Sequence, residues 1–568
     1  MLSNNLELVL ARYLSIGASV ITLFVLAGPV ADPVNVTKLL AGGIVAFGVL
    51  SLLLKRESRR LIASNKLLFG LLICFNLFSL ISSLVSKAPF IQNLYGDSGR
   101  NTGFLTYLIL SLILLGSALI SQGSSFNKIL VWFLIAGLVN VLLGYWSWVF
   151  GDPIPWNNIY GNLLGTFGNP NFMGAFLGMF SAPLIVLTLT ETLDLKWRLF
   201  AGSLWIATIP IVLQTKAVQG VLLTLGGAGL AVLLFLHYKF RKTWLSILYG
   251  SVFASSAILA VLGALQIGPL AQYVYKRSVS LRGSYWNAAI EMGSSNPLTG
   301  VGMDAYGTFY REYRSENAAT VMPGPEVASN AAHSVPLDFL AFGGFPLFVT
   351  YVTILLVGLV SLIKVLHRKR DYDPVFLSLA IIWVTYQIQS LISINQLGLA
   401  IWGWVTTGAL VAYERTTRAS VLVDESSNKA KGKSKVNTKQ ELFTPALLAA
   451  IGSGVGILIA IPPLTADASF RNAIKSQNLE KLEAALVPSY FKPRTSRALG
   501  NAVQILEESK LYEVGIKYAR EGVKFNPMAF DAWKALYYST NATPEEKSKA
   551  KIKMIELDPL NYALKDLP

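Results

Sequence analysis

Apolar runs of about 20 residues, nearly free of charge, recur along this chain as far as residue 462, and nothing else constrains its fold so strongly. A backbone in hydrocarbon must satisfy its own hydrogen bonds, so such runs are helices or strands of a closed barrel. They show no strict alternation of apolar and polar residues, which selects helices. With 53% hydrophobic and only 14% charged residues, the 568-residue chain reads as a polytopic, all-α membrane helix bundle. We place about thirteen spans, near 13–30, 39–54, 67–86, 104–120, 129–150, 172–190, 199–214, 219–236, 244–265, 336–362, 376–391, 397–413 and 443–462.

Orientation follows from Lys and Arg, which collect in loops that stay cytoplasmic. With the N-terminus inside, loops 55–66, 121–128, 191–198, 237–243, 363–374 and 414–441 hold 22 basic residues. Loops 31–38, 87–103, 151–171, 214–218 and 391–396 hold only Lys38, Lys87, Arg100 and Lys216. An odd number of spans then places the polar segment 266–335, and everything after residue 463, on the extracytoplasmic side. The net charge of +16 is mostly this loop bias, and no soluble basic domain is present to bind nucleic acid. The first run lacks a strongly charged flank and a small-residue cleavage site, so it reads as a retained helix. Cys74, the single cysteine, falls within a span and rules out an intramolecular disulfide or a Cys-based zinc site.

The expected organisation is a transmembrane core over 1–423, a Lys-rich cytoplasmic linker over 424–441, a last transmembrane helix over 442–463 and a soluble helical domain over 464–568. In the last, Asn526-Pro527 and Asp558-Pro559 bracket a helix pair with the spacing of a tetratricopeptide-like repeat. Such a domain offers a groove to a protein partner, or serves as a cap packed on the outer loop.

The segment 266–335 holds Arg277, Arg282, Arg311, Arg314 and His333. The other two histidines, His237 and His367, sit in basic clusters on the opposite side, so His333 alone is placed to meet an extracytoplasmic substrate. Arginines beside a bilayer also serve simply as contacts to lipid phosphates, which is the plainer reading of Arg311 and Arg314. Asn169 and Asn171 flank Pro170 as turn residues do.

The sequence RSVSLRGSYW, with Arg282 and Trp286, runs into Pro297-Leu298-Thr299-Gly300-Val301-Gly302, and HSVPLDFLAFGG opens the next span at His333. Upstream lie GDSGRNTG at 96–103, with Arg100, and GTFGNPN at 165–171, with Asn169 and Asn171. In this order the motifs resemble the O-antigen ligase and polymerase family of bacterial membrane glycosyltransferases. Ser334 stands where that family has Asn, Phe342 replaces an acidic residue, and Lys216-Ala217-Val218 replaces a Ser-Arg-Gly stretch, so Lys216 supplies charge without a guanidinium fork.

The resemblance implies a GT-C-like bundle in the bacterial cytoplasmic membrane that transfers a glycan from an undecaprenyl-diphosphate carrier to a lipid or glycan acceptor hydroxyl. His333 and Arg282 are the expected catalytic residues, with Arg100, Arg277, Lys216, Asn169, Asn171 and Asp338 binding substrate. Guanidinium groups suit the charge that builds on a departing diphosphate. Histidine suits removal of the acceptor proton, or, when protonated, the holding of the diphosphate. The outer loops have no Asp-x-Asp pair or His/Cys cluster, so transfer is expected to need neither metal nor cofactor. A flippase for lipid-linked sugars, a protein O-oligosaccharyltransferase and an envelope scaffold are the competing classes. The near absence of ionisable residues from the spans speaks against the flippase.

Overall fold

A computed structural model describes residues 2–156, 158–240, 244–264, 267–269, 271–274, 277–369, 371–424 and 438–567. Most of the linker expected at 424–441 lies outside these residues. Each apolar run overlaps a helix, from Asn4–Leu23 to Thr438–Ala460. Among the described residues nine helices are long and apolar enough to cross a membrane, and Thr444–Ala460 with Pro462–Ser476 forms a tenth candidate, bent by 47°. Phe104–Ser117 and Pro374–Ser390 are shorter apolar helices within the same bundle. The chain is a multi-pass, all-helical membrane protein.

The first helix departs from the expected 13–30. It runs Asn4–Leu23, and Gly28, with φ 101°, lies in a turn closed by the Leu26 N–H on the Pro33 carbonyl. Its start therefore draws in Glu7. That carboxylate is fully buried and accepts from the Ser121 and Gln122 N–H groups and the Ser121 and Ser125 hydroxyls, at 2.6–3.0 Å. Lys38, expected in a loop, lies inside the Asn35–Leu53 helix with no exposed surface. Its ammonium donates to the Ile21, Thr22 and Phe24 carbonyls, which end the first helix without helical partners.

The last apolar helix packs along Asn35–Leu53 through small residues. A side chain on Gly452 or Gly456 would meet the Phe47 or Gly43 carbonyl oxygen at 2.3 or 2.2 Å, so the two backbones are in direct contact. This seam delivers the chain to the end of the bundle where Pro462–Ser476 begins. From there to Leu557 successive helices build a separate core around Leu499, Leu506, Trp533 and Tyr537. The helix pair expected between Pro527 and Pro559 is present as Phe530–Tyr538 and Pro544–Leu557.

That domain is tied to the bundle at several points. Asp558, wholly buried, pairs with Arg314 at 2.7 Å and Arg311 at 3.0 Å. Asp467 accepts from the Ala31 and Asp32 N–H groups at 2.6 and 3.0 Å, and Arg497 donates to the Ser98 carbonyl at 3.3 Å.

Candidate functional site

The segment between the Trp244–Ala264 and Val335–Arg368 helices folds into the helices Arg277–Ser295, Tyr306–Tyr313 and Glu316–Thr320 and the turn 297–302. The turn docks onto a break in Val335–Arg368, where Gly343 and Gly344 leave helical geometry, with φ 65° at Gly344. Backbone meets backbone there: Val301 and Gly302 N–H donate to the Ala341 and Phe342 carbonyls at 2.8 and 3.0 Å, and Phe345 N–H to Pro297 at 2.8 Å. Gly300, with φ 59°, admits no side chain, because a Cβ would lie 2.4 Å from the Ala341 carbonyl oxygen. The Pro-Leu-x-Gly-Val-Gly signature is thus the clasp that fixes the arginine-bearing helix against the helix that His333 precedes.

Arg100 arrives from the 96–103 loop and is buried. Its Nη1 donates to the Asn330 carbonyl and side-chain oxygen, three residues before His333, and its Nε lies 3.4 Å from Asp304. Asp304 also accepts from the Asp97 and Thr102 N–H groups at 2.8 and 3.1 Å, which shapes the loop around the arginine. Burial works against the Arg100 charge, but the carboxylates Asp304 and Asp338 outweigh it and hold the guanidinium protonated. Asp304 is absent from the sequence-based candidates. Its one signal in the sequence was its place two residues after the glycine turn; the structure adds a left-handed φ of 54° there, which bulky residues avoid.

His333 also has a left-handed backbone, φ 57°, and is half-buried, its ring 5.2 Å from that of Tyr285. Nδ1 lies 3.2 Å from the Ala331 carbonyl oxygen. A carbonyl only accepts, so Nδ1 carries the hydrogen and, in the neutral ring, Nε2 carries the lone pair. Burial lowers the imidazole pKa to about 4, the Ala331 bond works against this, and the charges of Arg282 and Arg100 add to it. Arg282 stands on the same helix as Tyr285, half-buried, and burial alone pulls its own pKa down. Asp338 is buried, with one oxygen accepting from Ala332 N–H at 2.8 Å and the other without a hydrogen-bond partner among the described residues.

Beside Arg100 opens a cavity of about 500 Å³, lined by residues within 31–36, 91–101, 156–172 and 394–396 and, from the C-terminal domain, within 463–501. Arg100 and Asn169 line it; His333, Arg282, Lys216, Asn171 and Asp338 do not. Asn169 caps the Pro170–Leu189 helix by accepting from Asn171 N–H, and the Asn171 carbonyl accepts from Gln219 at 2.8 Å. Lys216 is exposed in the turn after Leu195–Gln214, with φ 55°. Arg277 begins its helix, but its side chain lies outside the described residues. Arg311 and Arg314 are neither lipid contacts nor site residues: both are buried on Asp558 and on carbonyls of 324–327. Among the described residues no group of three or more His, Cys, Asp or Glu is arranged to hold a metal ion.

A comparison with curated proteins finds no match. Residues 201–352, which include Arg282, the clasp and His333, match the family described as O-antigen ligase. The match supports glycan transfer at a membrane in general terms, without naming carrier or acceptor. This multi-pass membrane protein carries an O-antigen ligase domain over residues 201–352.

Proposed function

We propose that the protein transfers a glycan from an undecaprenyl-diphosphate carrier to an acceptor hydroxyl at the outer face of the bacterial cytoplasmic membrane, as a ligase or polymerase and without a metal ion. The observation that carries this reading is convergence. Arg100, from one end of the chain, bonds Asn330, and the charges of Arg100 and Arg282 both bear on His333.

The bond from the anomeric carbon to the diphosphate oxygen breaks, and its electron pair stays on the leaving group. The acceptor oxygen bonds to that carbon, and its proton passes to Nε2 of His333. Arg282 is the residue we assign to the leaving diphosphate, because Arg100 is already committed to Asp304 and Asn330. A neutral imidazole fits the base and not the diphosphate ligand. Burial, with the charges of Arg282 and Arg100 adding to it, holds it near pKa 4 in the free protein, and a bound diphosphate that offsets the two guanidinium charges makes it a stronger base.

The base-poor loops and the C-terminal domain meet at one end of the bundle, which supports an extracytoplasmic site with the N-terminus in the cytoplasm. The domain's buried anchoring supports the cap over the partner groove. Mass spectrometry of envelope glycans from a deletion strain tests the activity. Uncoupled long chains indicate a ligase, single repeat units a polymerase, and an unchanged glycan profile contradicts both.

A further inference from the structure

The cavity beside Arg100 is a composite of two domains, and its chemistry differs from that of the His333 and Arg282 side. Its lining includes Gln396, 3% exposed, with neither amide atom hydrogen-bonded among the described residues, and Asn101, whose side-chain oxygen is also buried and unpartnered there. Buried polar atoms of this kind cost free energy unless a ligand satisfies them. The bundle also lines it with Trp156 and Tyr160, and the C-terminal domain contributes Arg497 and Asn501.

Carboxylates, Asp97 and Asp467, line the same space as the arginines. A site for a bare anion would exclude them, and a lipid tail would not tolerate either charge. Amide donors and acceptors, carboxylates and aromatic rings together suit a polyhydroxylated ring, which needs both kinds of hydrogen-bonding partner at its edge and apolar contact on its face.

We propose that this cavity is a glycan subsite and that the C-terminal domain is a wall of it, with Gln396 and Asn101 gripping sugar hydroxyls from the bundle and Arg497 and Asn501 from the C-terminal domain. The subsite rests on the transferase reading for the source of its sugar, which is either the chain on the donor or the acceptor glycan. The domain is held as a fixed wall by Asp558, Asp467 and Arg497, so the subsite exists only in the full chain.

Photocrosslinking tests it. p-Benzoylphenylalanine is placed in the full-length protein at Tyr160 or Asn501, both exposed and lining the cavity from the bundle and from the C-terminal domain, and, as a control, at Lys549, exposed on Pro544–Leu557 outside it. Membranes from cells making their own lipid-linked glycan are irradiated, and adducts are read by mass spectrometry. Sugar-bearing adducts are expected at 160 and 501 well above those at 549; a retained phosphate marks the donor as source, and its absence marks the acceptor.

Gln396→Ala should lower both yields about three- to tenfold, the worth of one hydrogen bond to a buried amide, with exposed Arg497→Ala as a second variant that leaves the Asp558 and Asp467 anchors of the domain in place. Adducts that carry only lipid, or sugar no more frequent than at 549, overturn the proposal. The transferase reading fails separately: sugar adducts then persist while Arg282→Ala leaves release of carrier diphosphate unchanged.

Discussion

Arg314 Nη2 donates to both carboxylate oxygens of Asp558 at 2.7 Å, and neither side chain is exposed. An aspartate that the sequence pattern presents as the punctuation of a helical repeat is thereby the bolt between two domains, with Arg311 as its second partner and the Phe530 ring 4.3 Å from the Arg311 guanidinium. Removing one member of such a buried cluster strands the others without a counter-charge. Asp558→Ala should therefore cost about 3–5 kcal/mol in domain docking. Hydrogen exchange over 306–314 should accelerate in this variant, whereas exchange within the Leu499–Trp533 core should not.

The His333 environment sets a pH dependence. Its folded pKa of about 4 lies below the unfolded 6.5, so the unfolded chain binds the extra proton between those values. Stability at this site is complete above 6.5 and is lost as pH falls through the window. For activity, the acid limb of kcat/KM should lie well below 6.5. Arg282→Gln removes a charge that depresses the imidazole and should move the limb upward, whereas Arg282→Lys should leave it in place; profiles of residual carrier-diphosphate release distinguish them.

Gly300 tests the clasp. Gly300→Ala must place a Cβ 2.4 Å from main-chain atoms that cannot swing away, at a left-handed φ. It should cost about 1–3 kcal/mol from backbone strain alone, and more from the collision. Gly161→Ala has a similar φ of 62° but open space, so it should be milder. Thermal unfolding in detergent compares the two.

The proposed transfer assigns no step to a metal. Treatment with EDTA should leave the initial rate of carrier-diphosphate release unchanged, and a loss restored by a divalent cation would contradict that assignment.

Much of this architecture was legible before any coordinates. Apolar run length located the helices, and the motifs around Arg100, the glycine turn and His333 pointed to segments that the fold does bring together. What was hidden depended on distant partners. Lys38 looked like a loop residue because charge normally ends a span, and only the carbonyls of Ile21, Thr22 and Phe24 explain its burial. Glu7 was missed because its four donors lie more than a hundred residues away. Gln396 carries no local pattern, and Asp304 is marked only by its place two residues after the glycine turn; each matters through a loop or cavity assembled from remote segments.

The most direct measurement is release of undecaprenyl diphosphate by the purified full-length protein, given lipid-linked glycan and acceptor, for the wild type beside Arg282→Ala and His333→Ala. The account predicts release coupled to glycan transfer, reduced about 100- to 1000-fold by Arg282→Ala and about 100- to 10,000-fold by His333→Ala. Release at the wild-type rate by both variants would contradict it.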